Sequence, residues 1–299
     1  PLDPDYPEER LQYMLSASQV PVLLTQQHLT PKLAAANTQL IDLDKDWPTI
    51  AQLPGENLAP LATPNSLAYV LYTSGSTGLP KGVAIEHHSP VALIDWARSV
   101  FSSEDLRGVL ASTSICFDLS VFEPFVTLSL GGKIILAENA LQIPTLPAAQ
   151  EITLINTVPS AIAALLRINA MPPHVCTVNL AGEPFPNELA QQLYQHSTIR
   201  RVFNLYGPSE DTTYSTVALV ERGATSAPTI GRPIHNTVAY ILDRHLQPVP
   251  DRIFGELHIG GAGLARGYLN QPDLTQAKFI PNPFSHEPGR TPLQKRRLN

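Results

Sequence analysis

The 299-residue sequence has few cysteines, few charged side chains and no long hydrophobic run. Its two cysteines, Cys116 and Cys176, lie in apolar surroundings without the spacing of metal ligands. They are therefore predicted to be buried free thiols in a reducing cytoplasm, and a disulfide or a zinc site is not expected. No apolar stretch reaches the roughly 20 residues that a membrane-spanning helix needs. The opening PLDPDYPEER lacks the layout of a signal peptide, so export is not expected either.

Charge of positive sign is also scarce. The sequence has 20 Lys and Arg against 26 Asp and Glu, which gives a net charge of −6 and a pI near 5.8. The basic residues are scattered until the last few positions, so the sequence predicts no surface for nucleic acid or for an anionic membrane. With 43% hydrophobic residues, the chain is long enough for one large soluble domain or two closely packed subdomains.

Strand-like runs alternate with helix-like stretches over residues 1–216. Helices are predicted over residues 8–18, 32–37, 89–101 and 188–196, and strands include residues 20–25, 67–75 and 82–87. Five or more strands that alternate with helices favour an α/β fold with a mostly parallel sheet covered on both faces. Over residues 217–289 the helices thin out, and hairpin-like segments predict a β-rich subdomain.

A glycine-rich loop follows the apolar strand LAYVLYTSG. Residues 73–82, TSGSTGLPKG, contain four hydroxyl side chains, three glycines and one lysine. Glycine allows backbone N–H groups to face an anion, hydroxyls donate hydrogen bonds, and lysine supplies a positive charge. This combination predicts a site for a phosphate chain, whereas a Ser/Thr/Gly-rich surface turn would explain only a shorter piece of it.

Two common nucleotide-binding motifs do not fit this loop. A P-loop requires Ser or Thr directly after its lysine, but Lys81 is followed by Gly82. A dinucleotide-binding fingerprint requires G-x-G-x-x-G at a helix start and a later acid, which the sequence does not provide.

YTSGSTGLPKGV resembles the signature of the acyl-adenylate-forming, AMP-binding superfamily. PLDPDYPEERL, FDLSVFE, NLYGPSEDTTYST and GELHIGGAGLARGYLNQPDLTQAKF are similar, in order and spacing, to core motifs of the adenylation domains of nonribosomal peptide synthetases. The resemblance covers residues 1–289. It implies the large N-terminal core of such an enzyme, with helix-flanked, mostly parallel sheets over residues 1–216 and a β-barrel-like subdomain over residues 217–289.

The resemblance implies ATP-dependent activation of an amino acid as aminoacyl-AMP, with Mg²⁺, and transfer to the phosphopantetheine of a carrier domain. Peptidyl carrier and condensation domains would then be partners. Catalytic roles fall on Lys81 and on Glu210, which would also bind Mg²⁺, although an isolated Glu at that position could be a solvated loop acid. The ATP phosphates would be bound by Thr73, Ser74, Gly75, Ser76, Thr77, Gly78 and Lys81. The nucleotide would lie between Gly182 and Glu183 on one side and Tyr206, Gly207 and Ser209 on the other, and Tyr206 could equally be a core aromatic residue.

Asp118 is the residue that the resemblance assigns to the α-ammonium group of the substrate. An acid within an apolar run is costly to bury without a cation, so a bound amine accounts for it. The alternative is an N-cap for the helix that starts near Ser120. The implied pocket consists of Asp118, Leu119, Phe122, Asn156, Asn179, Ala181, Leu205, Thr213 and Tyr214. Its bulky members leave space for a small substrate, L-alanine first and then glycine or serine.

The C-terminal residues RTPLQKRRLN depart from the family pattern, which expects a segment of the form RLYKTGD, a hinge and a small subdomain with a catalytic lysine. Residues 290–299 are therefore interpreted as an atypical tail. A one-base shift within permitted codons would restore a near match, so we expect either a frameshift or an ordinary basic tail. The start on Pro1 favours an N-terminal truncation. The 299 residues alone are expected to be weakly active or inactive, and the alternatives are an acyl-CoA or aryl-acid ligase and a non-catalytic nucleotide-binding remnant.

Overall fold

The structure is a computed structural model that describes residues 1–33, 38–74, 78–284 and 292–296. The α-helices within these ranges are α1 (Glu8–Ser18), α2 (Trp47–Ile50), α3 (His88–Val100), α4 (Leu119–Val121), α5 (Thr127–Ser129), α6 (Pro159–Arg167), α7 (Asn187–Leu193) and α8 (Pro272–Lys278). A π-helical turn, Phe122–Val126, joins α4 to α5. None of the described helices has the length and apolar character required to cross a membrane.

In the described part of the chain, the strands form four sheets. They are β1 (Val22–Thr25), β2 (Gln39–Asp42), β3 (Leu67–Thr73), β4 (Lys81–Glu86), β5 (Val109–Ala111), β6 (Ile134–Leu136), β7 (Leu154–Thr157), β8 (Thr177–Leu180), β9 (Arg201–Tyr206), β10 (Thr216–Leu219), β11 (Arg232–Pro233), β12 (Thr237–Leu242), β13 (Glu256–Gly261), β14 (Gly267–Tyr268), β15 (Phe279–Ile280) and β16 (Leu293–Arg296). The predicted helix over residues 32–37 falls mostly on residues outside the described ranges, and the turn Thr30–Leu33 is a 3₁₀ helix.

The largest sheet has seven strands in the order β11-β10-β9-β8-β7-β5-β6. Five neighbouring strands of this sheet are parallel to one another, as the alternating pattern predicts, namely β9, β8, β7, β5 and β6. Successive residues of a strand point to opposite faces. Leu154 belongs to a core cluster with α3, whereas Ile155 belongs to a second cluster with α6 and α7. Both faces of the sheet are therefore covered, and the predicted α/β class is confirmed.

The large sheet continues beyond residue 216, where the sequence predicts that the β-rich subdomain begins. β10 turns back antiparallel to β9 and pairs Thr216 with Tyr206, and β11 then pairs with β10. The separate four-stranded sheet, in the order β12-β13-β16-β15, begins only at Thr237. A tight reversal after residue 211 returns the chain to the same sheet, and this long-range pairing is not encoded in the local hydrophobic pattern.

A three-stranded sheet connects the two halves of the sequence. β3 and β4 form an antiparallel pair, and β14 joins β4 with Gly267 opposite Ala84 and Tyr268 opposite Val83. The late motif GLARGYLN is thus adjacent to the strand that begins at Lys81. This pairing determines the surroundings of the glycine-rich loop.

The atypical tail contributes a strand. β16 pairs with both β13 and β15, and Leu293 is completely buried against Gly260. A Cβ at Gly260 would lie 2.8 Å from Leu293 Cδ2, so glycine permits this close packing.

Leu293→Ala is therefore expected to lower the free energy of unfolding by about 2–4 kcal/mol, since it removes a fully buried leucine. The measurement is urea denaturation. The control is Phe254→Ala, at a fully exposed position of the loop before β13, which should change stability by no more than about 0.5 kcal/mol. Equal effects of the two substitutions would show that β16 is not part of the folded sheet.

Candidate functional site

The glycine-rich loop connects β3 to β4. The register pairs Thr73 with Lys81, so the loop begins and ends at adjacent positions of one antiparallel ladder. Gly75, Ser76 and Thr77 lie outside the described residues. Gly78 has φ = +86°, a left-handed conformation that favours glycine. The Thr73 hydroxyl is buried and has no hydrogen-bond partner in the described part of the chain. A buried hydroxyl without a partner at this point could donate its hydrogen bond to a phosphate oxygen.

Lys81 and Glu210 form a buried ion pair at the base of the loop. Lys81 Nζ lies 2.5 Å from Glu210 Oε1, and the side chains are only 17% and 3% exposed. Lys81 starts β4 of the small sheet, whereas Glu210 lies on the 3₁₀ turn Ser209–Asp211 that follows β9 of the large sheet. The two candidate catalytic residues, which the sequence assigned separately, are thus in direct contact.

Burial raises the pKa of Glu210, but the charge and hydrogen bond of Lys81 and the hydroxyl of Tyr268 outweigh it, so the pKa is lowered. Glu210 is therefore an anion at neutral pH. Among the described residues, no group of three or more His, Cys, Asp or Glu side chains could hold a metal ion. A single carboxylate beside a phosphate site suits Mg²⁺, which is usually bound by one or two carboxylates together with phosphates and water.

The candidate nucleotide residues lie at the carboxyl ends of neighbouring parallel strands. Tyr206 ends β9 and Gly207 follows it, while Gly182 and Glu183 follow β8. A Cβ at Gly207 would lie 2.4 Å from the carbonyl oxygen of Thr213, so glycine is required where the chain passes the pocket segment. Ligands of open α/β sheets commonly bind at this edge.

Glu183 has a structural role as well. Its carboxylate accepts hydrogen bonds from the backbone N–H and the hydroxyl of Ser160, both at 2.9 Å. Ser160 lies in the first turn of α6, where backbone N–H groups have no partner within the helix. The side chain of Glu183 therefore caps α6, and this places the backbone of residues 182 and 183 beside the end of β8.

The candidate substrate residues come from five helices and strands and from the segments next to them, and they meet at the same edge. Asn156, Asn179 and Leu205 lie on β7, β8 and β9, and Phe122 begins the π-helical turn. Seven of them are at most 4% exposed, namely Phe122, Asn156, Asn179, Ala181, Leu205, Thr213 and Tyr214. Leu119 and Asp118 are partly exposed at the start of α4. The implied pocket residues are thus brought together.

Asp118 precedes α4, but it does not cap this helix. Its backbone is helical at φ = −68° and ψ = −24°, and its side chain makes no cap hydrogen bond. The Thr213 hydroxyl donates to the carbonyl oxygen of Asp118 at 2.9 Å, which joins these two candidate pocket residues. Burial raises the pKa of the Asp118 carboxyl, the charge of Glu210 adds to the rise, and the Ser209 hydroxyl offsets it in part. The carboxylate therefore has an environment that a cation would stabilise.

A hydrogen-bonded chain links two of the candidate substrate residues to Glu123. Tyr214 donates its hydroxyl proton to Asn156 Oδ1 at 2.5 Å, and Asn156 Nδ2 lies 3.5 Å from Glu123 Oε1. Glu123 also accepts from the backbone N–H groups of Ser112 and Thr113. The polar groups of Asn156 and Tyr214 are therefore largely used within the protein. Both amide atoms of Asn179, in contrast, are buried without a hydrogen-bond partner in the described part of the chain.

Two residues of this site were missed by sequence reasoning. Glu123 stands in the quoted motif FDLSVFE, and the signal for it was the same as for Asp118, an acid inside an apolar run. Tyr268 stands in GLARGYLN, and its hydroxyl contacts both Lys81 and Glu210. No local signal marks Tyr268, because its position depends on the pairing of β14 with β4.

A profile of the family described as AMP-binding enzyme matches residues 1–269. The chain belongs to this family. Two of its curated relatives are linear gramicidin synthase polypeptides from Brevibacillus parabrevis, one 61% identical over 288 residues and the other 56% identical over 289 residues. These alignments cover 96% and 97% of this chain but only 6% of each relative. The chain thus spans a small part of the length of these curated relatives.

Solved structures place this member of the AMP-binding family with the adenylation domains of nonribosomal peptide synthetases. A crystal structure of the synthetase FmoA3 matches 99% of this chain and 32% of its own length, with a TM-score of 0.86 and 26% identity. The four-domain synthetase holo-AB3403, solved with AMP and glycine, matches 99% of this chain and 22% of its own length, with a TM-score of 0.81 and 28% identity. The resemblance inferred from the motifs is confirmed.

Lys81→Met is expected to destabilise the protein by about 3–5 kcal/mol near pH 8, because it leaves the Glu210 carboxylate buried without its cation. Burial raises the pKa of Glu210, and without Lys81 only weaker hydrogen bonds, such as that of Tyr268, oppose it. We therefore expect the pKa to rise above its unfolded value, so that the folded state binds the proton more tightly. The deficit should therefore shrink as the pH falls to about 5. The measurement is urea denaturation at both pH values.

Lys133→Met provides the matched control. Lys133 Nζ also lies 2.5 Å from a carboxylate, that of Glu151, but these side chains are 58% and 53% exposed. Its loss should cost at most about 1 kcal/mol. A Lys81→Met deficit that is as small as the control, or that grows toward low pH, would contradict the buried pair.

Proposed function

We propose that this chain activates a small amino acid, L-alanine first, as aminoacyl-AMP with Mg²⁺–ATP. The carboxylate of the amino acid attacks the α-phosphate, and pyrophosphate leaves. The phosphopantetheine thiol of a peptidyl carrier domain then attacks the acyl carbon, the acyl–phosphate bond breaks, and AMP leaves. The carrier domain would lie next to condensation domains of a cytoplasmic nonribosomal peptide synthetase. The observation that carries the proposal is the partly exposed carboxylate of Asp118, which has no cation among the groups that shift its pKa, beside candidate pocket residues with large side chains.

Asp118 supports a substrate with an α-ammonium group. No cation is among the groups that shift its pKa in the described part of the chain, and burial disfavours the charged form of the carboxyl. A substrate ammonium would supply the missing positive charge. Fatty acids and aryl acids lack this group, so the site favours an amino acid over the substrates of acyl-CoA or aryl-acid ligases.

The walls of the pocket support a small substrate side chain. Phe122 and Tyr214 make an edge-to-face contact at 5.6 Å between ring centroids, and Trp96 contacts Tyr214 at 6.1 Å. The three rings are at most 2% exposed. Displacing closely packed rings of this kind costs free energy, so substrates with larger side chains would be excluded. Discrimination between alanine and glycine depends on one methyl group and is expected to be only about 1–3 kcal/mol.

The residues at the loop support the nucleotide half of the reaction. Thr73, with its orphaned hydroxyl, and Lys81 would bind phosphate oxygens, and Glu210 would bind Mg²⁺. When bound, Mg²⁺ neutralises charge on the phosphate chain. Gly182 and Gly207 lie just beyond the strand ends where the nucleotide would bind. Fixed donors in a site of this kind stabilise the charge that develops on the phosphates.

The test is amino-acid-dependent ATP–pyrophosphate exchange by the polypeptide that carries this sequence. L-Alanine should give the highest rate, with glycine and serine below it, and the isolated 299 residues should be slower. Preference for a large or charged amino acid would disprove the assigned substrate. Exchange driven by carboxylates without an α-amine would favour an acyl-CoA or aryl-acid ligase, and ATP binding without any exchange would favour a non-catalytic protein.

Asp118→Asn should raise the KM for the amino acid by roughly 30-fold or more while the KM for ATP stays within about twofold, since breaking a buried charge pair costs about 2–5 kcal/mol. The same exchange assay measures both constants. Asp95→Asn is the control, because Asp95 lies on α3 and pairs with Arg98 on the surface. An unchanged amino-acid KM in Asp118→Asn would remove Asp118 from substrate recognition.

A further inference from the structure

Tyr268 is held firmly by its surroundings. It is 5% exposed, and its ring makes an edge-to-face contact with Phe279 at 5.6 Å between centroids. Its backbone N–H donates to Thr275 Oγ1 at 2.9 Å, which ties β14 to α8. The preceding Gly267 has φ = +145°, and a Cβ there would lie 2.4 Å from Thr275 Cγ2. The backbone and the ring of Tyr268 are thus fixed independently of its hydroxyl.

The hydroxyl of Tyr268 bridges the buried ion pair. It accepts a hydrogen bond from Lys81 Nζ at 3.0 Å and donates to Glu210 Oε1 at 2.7 Å. Lys81 Nζ also lies 4.4 Å from the centroid of the Tyr268 ring, within the range of a cation–π contact. The side chains of Lys81, Glu210 and Tyr268 therefore each contact the other two.

We propose that Tyr268 is a positioning residue for the binding of Mg²⁺–ATP, a role that rests on the proposed function. In the structure the ammonium group of Lys81 pairs with the carboxylate of Glu210. When Mg²⁺–ATP is bound, Lys81 would instead contact a phosphate oxygen and Glu210 would contact the metal ion. The O–H of Tyr268 donates to Glu210 and not to Lys81. It can therefore keep the carboxylate in place while the ammonium group turns from Glu210 toward a phosphate oxygen.

This role differs from simple support of the fold in one measurable respect. Loss of the hydroxyl should weaken the binding of a ligand that engages Lys81 and Glu210 through phosphates and Mg²⁺. It should leave largely unchanged the binding of AMP without Mg²⁺, which lacks the β- and γ-phosphates. A purely structural hydroxyl would affect both ligands equally or affect only stability.

The experiment measures dissociation constants by calorimetry for a non-hydrolysable ATP analogue with Mg²⁺ and for AMP without Mg²⁺, on the polypeptide that carries this sequence. Tyr268→Phe keeps the ring and removes only the hydroxyl. We expect it to weaken binding of the Mg²⁺–analogue about tenfold, because the lost hydrogen bond is to a charged group, and to leave AMP binding within about twofold.

Tyr194→Phe is the matched control. The hydroxyl of Tyr194 also donates one hydrogen bond, to the carbonyl oxygen of Val220 at 2.6 Å, and accepts one, from the backbone N–H of Val202 at 3.1 Å. Tyr194 is 6% exposed and belongs to the core cluster with α6 and α7. Tyr194→Phe should lower stability without changing the ratio of the two affinities.

The outcomes separate this inference from the proposed function. A wild-type protein that binds neither ligand would overturn the proposed function. If the wild-type protein binds both ligands, and the ratio of the two dissociation constants is the same in Tyr268→Phe as in wild type, only the role of Tyr268 would be overturned. If Tyr268→Phe fails to bind AMP, Tyr268→Met is measured in the same way, and an unchanged ratio there has the same meaning.

Discussion

The buried contact between Lys81 and Glu210 is the interaction on which the site depends, because it joins the three-stranded sheet to the seven-stranded sheet. Two hydrogen bonds to backbone carbonyl oxygens lie beside this ion pair. The N–H of Ala265 donates to the carbonyl oxygen of Glu210 at 2.8 Å, and the Thr212 hydroxyl donates to that of Gly263 at 2.6 Å. A buried ion pair adds little net stability compared with apolar packing, but removal of one partner is costly. The pair therefore fixes where the loop of one sheet meets the strand ends of the other.

The same geometry makes the candidate substrate pocket rigid on one side and places a carboxylate at its edge. Two of its residues belong to a chain of hydrogen bonds that ends at Glu123, and two of its aromatic rings pack edge to face. Asp118 stands at the edge, joined to Thr213 by a hydrogen bond. Buried polar networks that are largely satisfied restrict side chains to one arrangement. In the proposed function, a fixed pocket of this kind would select substrates by size and by the α-ammonium group.

The parallel sheet and the glycine-rich loop could be predicted from sequence because their signals are local, whereas most candidate site residues were assigned only through the family resemblance. The helix over residues 8–18 was predicted with the observed bounds, and the loop after β3 carries its glycines, hydroxyls and lysine in one short segment. Long-range pairing has no such signal. Tyr268 and the return of β10 to the large sheet were missed for this reason. Glu183 was predicted beside the nucleotide, but its side chain caps a helix, since the motif does not reveal which neighbour it meets.

The central claim is that Lys81 and Glu210 exchange their mutual contact for a phosphate chain and its metal ion. The most direct measurement is a crystal structure of the polypeptide that carries this sequence, with Mg²⁺ and a non-hydrolysable ATP analogue. The account predicts a phosphate oxygen in contact with the Lys81 ammonium group, the metal ion in contact with the Glu210 carboxylate, and Tyr268 still bonded to Glu210. An analogue bound away from the loop, with the Lys81–Glu210 pair unchanged, would contradict it.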